Sequence, residues 1–122
     1  MHSILGILLA AVAGASTAGA QTEPAPKAVY GVALIQIDDR EGYSNYSRGF
    51  GAIFSRYRGE MLAMSESPTV IEGEWPWTRT VMIRFPSMAE FEAWYYSPEY
   101  QELAKLRHAS SKGNLILIEA PK

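Results

Sequence analysis

The sequence predicts a small α+β domain, in which two helices cover one face of a four-stranded antiparallel sheet. Two local patterns support this fold class: Thr78–Phe85 alternates between two sets of residues as a strand does, and aromatic residues from Tyr43 to Tyr57 recur at helical spacing. The third observation is the order of the predicted elements: strand, helix, strand, strand, helix, strand. The 122-residue chain has room for one such domain.

The amino terminus is not expected to belong to this domain. The apolar run Ile4–Ala13 is too short for a membrane span, which needs about 20 residues, and Ala18–Ala20 has the small residues of a cleavage site. This pattern predicts a signal peptide over residues 1–20, followed by a proline-containing linker over residues 21–28. Because the leader has no Lys or Arg, a disordered or lipid-facing tail is the alternative. We expect a periplasmic or secreted protein without stable membrane insertion after cleavage.

Composition excludes several classes of function. The chain has 11 basic and 13 acidic residues, a net charge of −2, and this balance argues against a nucleic-acid partner because such proteins normally carry a basic patch. There is no cysteine, which rules out disulfides, zinc–thiolate sites, iron–sulfur clusters and cysteine nucleophiles. Stability must therefore come from packing or assembly.

The domain is predicted over residues 29–120 and begins with a strand at Val29–Ile37. This strand is apolar at both alternating positions, which is typical of a strand covered on both faces. Asp39 is predicted to cap a helix that ends at Gly59, and a second strand follows over residues 60–66. The aromatic stripe of the helix consists of Tyr43, Tyr46, Phe50, Ile53, Phe54 and Tyr57. Alternation along the second strand places Leu62 with Met64 on one face and Met61 with Ala63 on the other.

The third strand, Thr78–Phe85, ends at Pro86, which has no N–H to donate to a neighbouring strand. Ser87 then has the position of a helix N-cap. Glu90, three residues later, completes the sequence pattern of a capping box, in which each residue satisfies a backbone N–H near the other. A helix is therefore predicted to follow the third strand directly.

This second helix is predicted to form in two pieces, about 88–96 and 98–108. Ser97-Pro98 repeats the signal of a cap followed by proline at the first helical position, and proline interrupts the hydrogen bonding of the preceding turn. A turn at Lys112–Asn114 and a strand at Leu115–Glu119 complete the prediction. The last strand is also apolar at both alternating positions.

The order β-α-β-β-α-β is the ferredoxin-like arrangement, a sandwich of one antiparallel sheet and two helices. Two helices cover only one side of such a sheet, yet the first and last strands are apolar on both sides. We therefore expect the uncovered face to be buried in a homodimer whose two sheets face each other and enclose a shared interior.

Several short motifs resemble a known group of small bacterial proteins, the domain of unknown function 1330 family. The resemblance runs over about residues 29–120 and implies a dimeric α/β barrel of ferredoxin-like subunits. It implies no activity, because the family has none agreed, although its wider superfamily includes small monooxygenases and isomerase-like proteins. The motifs are Glu72-Gly73-Glu74-Trp75-Pro76, Arg79-x-Val81, Phe85-Pro86-Ser87, Trp94-Tyr95-x-Ser97-Pro98-Glu99-Tyr100-Gln101 and the following Arg107.

Arg79 is the first candidate for ligand binding. A guanidinium at a pocket mouth can hold a carboxylate through two parallel hydrogen bonds, and Trp75 and Trp77 are close enough in sequence to wall such a pocket. The alternative is a structural role, either a salt bridge with Glu72 or Glu74 or packing of the aliphatic part of Arg79 on a tryptophan. The two tryptophans are expected at the pocket rim or at the subunit interface.

Four further residues are weaker candidates. Arg107 is either an anion holder or a cation placed near a helix end, where it interacts favourably with the helix dipole. Tyr46 and Tyr100 either line the pocket with their hydroxyl groups or pack in the core. His108 is either a functional residue, as a general base or an axial haem ligand, or a solvated or capping residue at a helix end. The pattern shows no metal-ligand cluster, and we expect neither a metal nor a cofactor.

Two hypotheses from different classes follow. The first is a small acidic or aromatic molecule bound in the barrel, with a cofactor-free monooxygenase or isomerase-like reaction as an extension. The second is a non-catalytic structural or stress-related homodimer without a ligand site. An open cavity of a few hundred cubic ångströms with convergent polar groups would count against the second.

Overall fold

The computed structural model describes residues 25–122, so the predicted leader over residues 1–20 and the start of the linker lie outside the described residues. Within this range no helix is long and apolar enough to cross a membrane. Seven elements follow one another: β1 (Val29–Ile37), α1 (Arg40–Phe54), β2 (Glu60–Ser65), β3 (Arg79–Phe85), α2 (Met88–Tyr95), α3 (Pro98–Ser110) and β4 (Ser111–Glu119).

The four strands form one sheet in the order β2-β3-β1-β4, and every neighbouring pair is antiparallel. This is the ferredoxin-like arrangement that the sequence predicts. β1 lies in the interior of the sheet, where Val29 pairs with Phe85 of β3 on one side and with Glu119 of β4 on the other.

The core lies between the sheet and the helices and is mostly aromatic. The Phe85 side chain from β3 is fully buried and stacks on Trp94 of α2, with ring centroids 5.5 Å apart. The ring of Phe54 of α1 packs edge-on against Trp94 with centroids 5.2 Å apart, and the ring centroid of Tyr100 of α3 lies 4.3 Å from that of Trp94. Each such pair is worth about 0.5–1.5 kcal/mol beyond the area it buries, so Trp94 joins the three helices to the sheet.

All three predicted N-caps are formed, but only half of the predicted capping box is: the described residues show no bond from the N–H of Ser87 to the Glu90 carboxylate, which lies 3.7 Å from Arg58. The side chain of Asp39 accepts from the N–H of Gly42 at 3.2 Å, and that of Ser87 accepts from the N–H of Glu90 at 3.1 Å. The side chain of Ser97 accepts from the N–H of Tyr100 at 3.2 Å, and Pro98 is the first residue of α3. The predicted division into two helical pieces is therefore confirmed.

The predicted end of the first helix is wrong. α1 ends at Phe54, five residues before Gly59, and the N–H of Ser55 closes it by bonding to Gly51 O at 3.0 Å. Gly59 has a different role, because a Cβ there would lie 2.5 Å from Cζ of Phe85 and also overlap the Phe54 ring. The glycine lets the start of β2 approach these two rings.

The predicted faces of β2 are also wrong. Met61 pairs with Ile83, but the next pair joins Ala63 to Met82, so Leu62 is the extra residue of a β-bulge. A bulge exchanges the faces of the residues that follow it. As a result Met61 and Met64 both point toward the helices.

The predicted last turn does not exist as such. Lys112–Asn114 lie inside β4, which begins at Ser111 immediately after the last residue of α3. The change of direction is held by Ser110, whose carbonyl accepts from the N–H of Asp38 at 2.9 Å and from that of Asp39 at 3.0 Å. α3 and β4 are therefore joined without a loop.

The face of the sheet opposite the helices is here called the bare face. Three of its apolar side chains, Met82, Ile116 and Ile118, are exposed in the single subunit. The two-sided apolar character predicted for the first and last strands is thus confirmed. In full, the paired residues of the bare face are Tyr30, Val32, Leu34 and Gln36 of β1, Glu60, Ala63 and Ser65 of β2, Thr80, Met82 and Arg84 of β3, and Lys112, Asn114, Ile116 and Ile118 of β4.

Candidate functional site

A cleft of about 210 Å³ lies between α1 and the edge of the sheet formed by β2 and β3; we call it the outer cleft. The aromatic stripe of α1 supplies one wall, and alternation along β3 points Arg79 and Val81 toward it. The bulge in β2 supplies the other wall by turning both methionines inward. Its principal side chains are Tyr43, Tyr46, Phe50, Met61, Met64 and Arg79.

Arg79 is the charged group of the outer cleft, and its side chain is only 19% exposed. Its guanidinium carbon lies 5.5 Å from the centre of the Tyr43 ring, and one of its nitrogens contacts the sulfur of Met64. Nη1 lies 3.4 Å from a carboxylate oxygen of Glu66, which is the partner in place of Glu72 or Glu74. Among residues 25–122, the buried Nε has no hydrogen-bond partner.

Glu66 is shared between two arginines. Its other carboxylate oxygen lies 2.9 Å from Nη1 of Arg40, and this hydrogen bond, with a weaker one from Arg79, holds the pKa of Glu66 below its usual value. The shorter distance is to Arg40, so the guanidinium of Arg79 is only partly satisfied by this carboxylate.

A smaller cavity of about 50 Å³, the inner cavity, lies deeper between the helices and the sheet. The sheet contributes only apolar side chains to it. The helices contribute Tyr46, Trp94, Tyr100 and Arg107, and Tyr46 also lines the outer cleft, so the two spaces adjoin. Four of the six predicted site residues, including Arg79, therefore lie around these two adjoining spaces.

The hydroxyl groups of Tyr46 and Tyr100 are 2.6 Å apart and buried. Burial, reinforced by the neighbouring Tyr100, raises the pKa of Tyr46 well above its usual value of 10. The Tyr46 hydroxyl therefore stays protonated at neutral pH and acts as a hydrogen-bond donor or acceptor. The guanidinium carbon of Arg107 lies 5.7 Å from the centre of the Tyr46 ring.

His108 follows Arg107 but does not line either space. Its side chain is largely exposed, with Nε2 3.4 Å from Nη2 of Arg107. Partial burial and the positive charge of Arg107 lower the pKa of His108.

The two remaining predicted residues, Trp75 and Trp77, lie on the other side of the sheet. The indole N–H of Trp75 donates to Thr80 Oγ1 at 2.8 Å, and Thr80 belongs to the bare face. Trp77 lines a hollow of about 360 Å³ beside Gln36 and Asn114, also on the bare face. Within one subunit they therefore do not wall the cleft of Arg79, because adjacent residues of a strand point to opposite faces.

Some principal side chains of the two spaces are not among the site residues predicted from the sequence: Tyr43, Phe50, Met61 and Met64 in the outer cleft, and Trp94 in the inner cavity. Tyr43 could have been found because it lies one helical turn before Tyr46. The two methionines could not, because the bulge that places them on the same face is not visible in the sequence. Among the described residues, no group of three or more His, Cys, Asp or Glu side chains is placed to hold a metal ion.

Several solved structures share this fold. RPA0582, a protein of unknown function from Rhodopseudomonas palustris, aligns with a TM-score of 0.67 and 22% identity over 79% of this chain and 84% of its own. SnoaB, a cofactor-independent oxygenase from Streptomyces nogalater, aligns with a TM-score of 0.59 and 16% identity over 79% of this chain and 95% of its own. A protein of unknown function from Bacteroides fragilis is described as dimeric and ferredoxin-like. It aligns with a TM-score of 0.57 and 11% identity over 76% of this chain and 96% of its own. At these identities the likeness extends to the fold alone.

A comparison with curated proteins gives no match. A family model does match, and it spans residues 28–121, which is nearly the whole described chain. Its range coincides with the strands, helices and both cavities described above. The protein therefore belongs to the family described as domain of unknown function (DUF1330).

Proposed function

We propose that the protein binds a small acidic aromatic molecule in the outer cleft, with Arg79 holding the acidic group. The observation that carries this proposal is the state of Arg79: a largely buried guanidinium, incompletely paired, at the side of an open cleft walled by rings and thioethers. Arginine has a planar set of donors that matches a carboxylate, so a ligand carboxylate satisfies it better than one long contact to Glu66 does.

The rest of the cleft suits an aromatic body. Tyr43, Tyr46 and Phe50 present ring faces and edges, and methionine side chains adapt their shape to an aromatic ligand. The volume of about 210 Å³ lies below the roughly 300–1,000 Å³ typical of sites for drug-sized ligands, so the ligand is expected to have a single ring.

Benzoate is a suitable first probe, and calorimetric titration is the measurement. We expect Arg79→Gln to weaken benzoate binding at least tenfold while leaving the melting temperature nearly unchanged. Arg56→Gln is the matched control, because Arg56 also pairs with a glutamate (Glu99, 3.2 Å) but lies outside the cleft. If Arg79→Gln lowers the melting temperature and leaves benzoate binding intact, the arginine is structural and the proposal is wrong.

A second candidate is a cofactor-free monooxygenase or isomerase-like reaction on the same ligand. It is favoured by the buried Tyr46–Tyr100 pair beside the cleft, since a hydroxyl held neutral by burial can donate to a ligand oxygen. Consumption of a bound aromatic acid without added cofactor, lost in Tyr46→Phe, would support it. The opposite alternative, a structural or stress-related homodimer without a ligand site, predicts no saturable binding in either space.

We also propose that two subunits pair through their bare faces. Exposed apolar residues on that face and the dimeric state described for the Bacteroides fragilis neighbour support this pairing. Trp75 and Trp77 would then lie at the interface, one of the two positions expected from the sequence. The net charge of −2 gives no reason to expect a nucleic-acid partner.

Export remains part of the proposal. It is supported by the apolar run Ile4–Ala13 and the small residues at Ala18–Ala20, which are typical of a cleaved leader. N-terminal sequencing of the periplasmic or secreted fraction should find Gln21 or a close neighbour as the first residue. An intact Met1 in that fraction would contradict the proposal.

A further inference from the structure

We infer that the inner cavity is a second, separate binding site that takes a small monovalent anion, of the size of a halide or formate. Four side chains would hold it: Trp94, Tyr46, Tyr100 and Arg107, all of which line this space. The inference does not depend on an aromatic acid occupying the outer cleft.

The inner cavity is lined by a hydrogen-bond donor that has no partner. Trp94 is 2% exposed, and its indole N–H has no hydrogen-bond partner among residues 25–122. An indole can only donate, and leaving a buried donor unpaired costs roughly 1–3 kcal/mol. An acceptor in the adjoining cavity removes this penalty.

The inner cavity is also lined by a positive charge that has no carboxylate partner. Arg107 is half-buried, yet among the described residues no carboxylate lies within ion-pair distance of it, and its polar neighbours are uncharged or weakly basic: His108 Nε2 at 3.4 Å and the hydroxyl of Tyr100. A partly buried cation is stabilised by a counter-ion. By contrast, five other arginines each pair with a glutamate: Arg40 and Arg79 with Glu66, Arg56 with Glu99, Arg58 with Glu90, and Arg84 with Glu60.

The pair of tyrosine hydroxyls supplies a further donor. When two hydroxyls bond to each other, one donates and the other keeps its own proton available for a further acceptor. The pair therefore adds another donor beside the cavity. The residues that the sheet contributes, among them Ala33, Val81 and Leu115, are apolar and offer no competing side-chain acceptor.

The volume restricts what can enter. A cavity of roughly 150 Å³ holds benzene, whereas one water needs roughly 10–15 Å³ of cavity, so a cavity of about 50 Å³ admits a halide or formate but not an aromatic ring. Two other arrangements would satisfy the indole: a bound water, or an N–H pointing at the face of the Tyr100 ring, whose centroid is 4.3 Å from that of Trp94. The experiment distinguishes all three.

The test is nuclear magnetic resonance of the ¹⁵N-labelled full chain, which has three indole N–H signals. Trp75→Phe and Trp77→Phe assign two of them and leave the core residue Trp94 in place. Sodium formate and sodium chloride are titrated at an ionic strength held constant with a bulky sulfonate. We expect the Trp94 signal to move downfield and saturate, while the other two signals stay in place.

Arg107→Gln should raise the midpoint of saturation at least tenfold. Arg48→Gln is the matched control, since Arg48 bonds only to Ser44 and Asn45, is exposed and should leave the midpoint unchanged. If Arg107→Gln does not fold, Tyr100→Phe keeps the ring, removes one hydroxyl and should weaken saturation several-fold.

If the Trp94 signal does not respond to formate or chloride, the inference is overturned, and the indole N–H is satisfied by a water or by the face of the Tyr100 ring. A response of the same midpoint in Arg107→Gln overturns it as well. Benzoate is too large for the inner cavity, so its binding near Arg79 is measured independently. Failure of the formate titration therefore leaves the proposal for the outer cleft standing.

Discussion

Replacing Ile116 tests whether the bare face joins two subunits. In the single subunit Ile116 is 51% exposed. Complete burial of an isoleucine side chain is worth about 1.5–3 kcal/mol, so covering the remaining half contributes about 1 kcal/mol. A two-fold dimer buries two copies, and Ile116→Ala should therefore weaken association by about 2 kcal/mol, or roughly thirtyfold.

Ile116→Asp is the more severe change. It removes the same apolar contact and adds two carboxylates to a desolvated surface, each with a penalty of several kcal/mol. We expect this variant to be monomeric at concentrations where the unmodified protein is dimeric. Sedimentation velocity over a dilution series measures both dissociation constants.

Leu106→Asp is the matched control, because Leu106 is 42% exposed but lies on α3, away from the bare face. It should leave the dissociation constant unchanged. The reasoning is refuted if the unmodified protein is monomeric at all concentrations, or if Ile116→Asp sediments as a dimer with unaltered affinity.

Three further predictions concern stability and pH. Gly113→Ala should lower the free energy of unfolding in urea by about 3 kcal/mol, because the added Cβ would overlap the carbonyl oxygen of Leu34. As a control, Gly51→Ala should be neutral or stabilising, because a Cβ at Gly51 has no atom within 4 Å. The pKa of Tyr46 is raised in the folded protein, so its contribution to stability is complete below pH 10 and is lost above it. Phenolate absorbance should therefore show Tyr46 ionising only as the chain unfolds, and not before. Ser97→Ala should lower stability by about 1 kcal/mol in thermal melts through loss of the α3 cap, and no change would show that water replaces it.

Local signals predicted most of the fold. The caps at Asp39, Ser87 and Ser97 each involve a side chain and a backbone N–H three residues away, so the sequence contains both partners. The third strand and the break before Pro98 depend on equally local rules. These features were predicted with nearly correct boundaries.

The errors involve partners that are distant in sequence. The bulge at Leu62 is decided by pairing with β3, and the fit of Gly59 depends on rings from α1 and β3. Gly113 looked like a turn residue, but in the sheet it allows close approach to β1. For the same reason the sequence grouped Arg79 with nearby tryptophans, whereas its carboxylate partner is Glu66 and its aromatic neighbour is Tyr43.

Leu115 and Ile116 are consecutive in β4, yet the first lines the inner cavity and the second lies on the bare face. Only the thickness of one strand separates the two surfaces, and that strand continues directly from α3, which carries Arg107. A ligand that moved Leu115 would also move the backbone that carries Ile116. Thermodynamic linkage then requires reciprocity: if occupancy of the cavity tightens subunit association by some factor, association raises affinity for the occupant by the same factor.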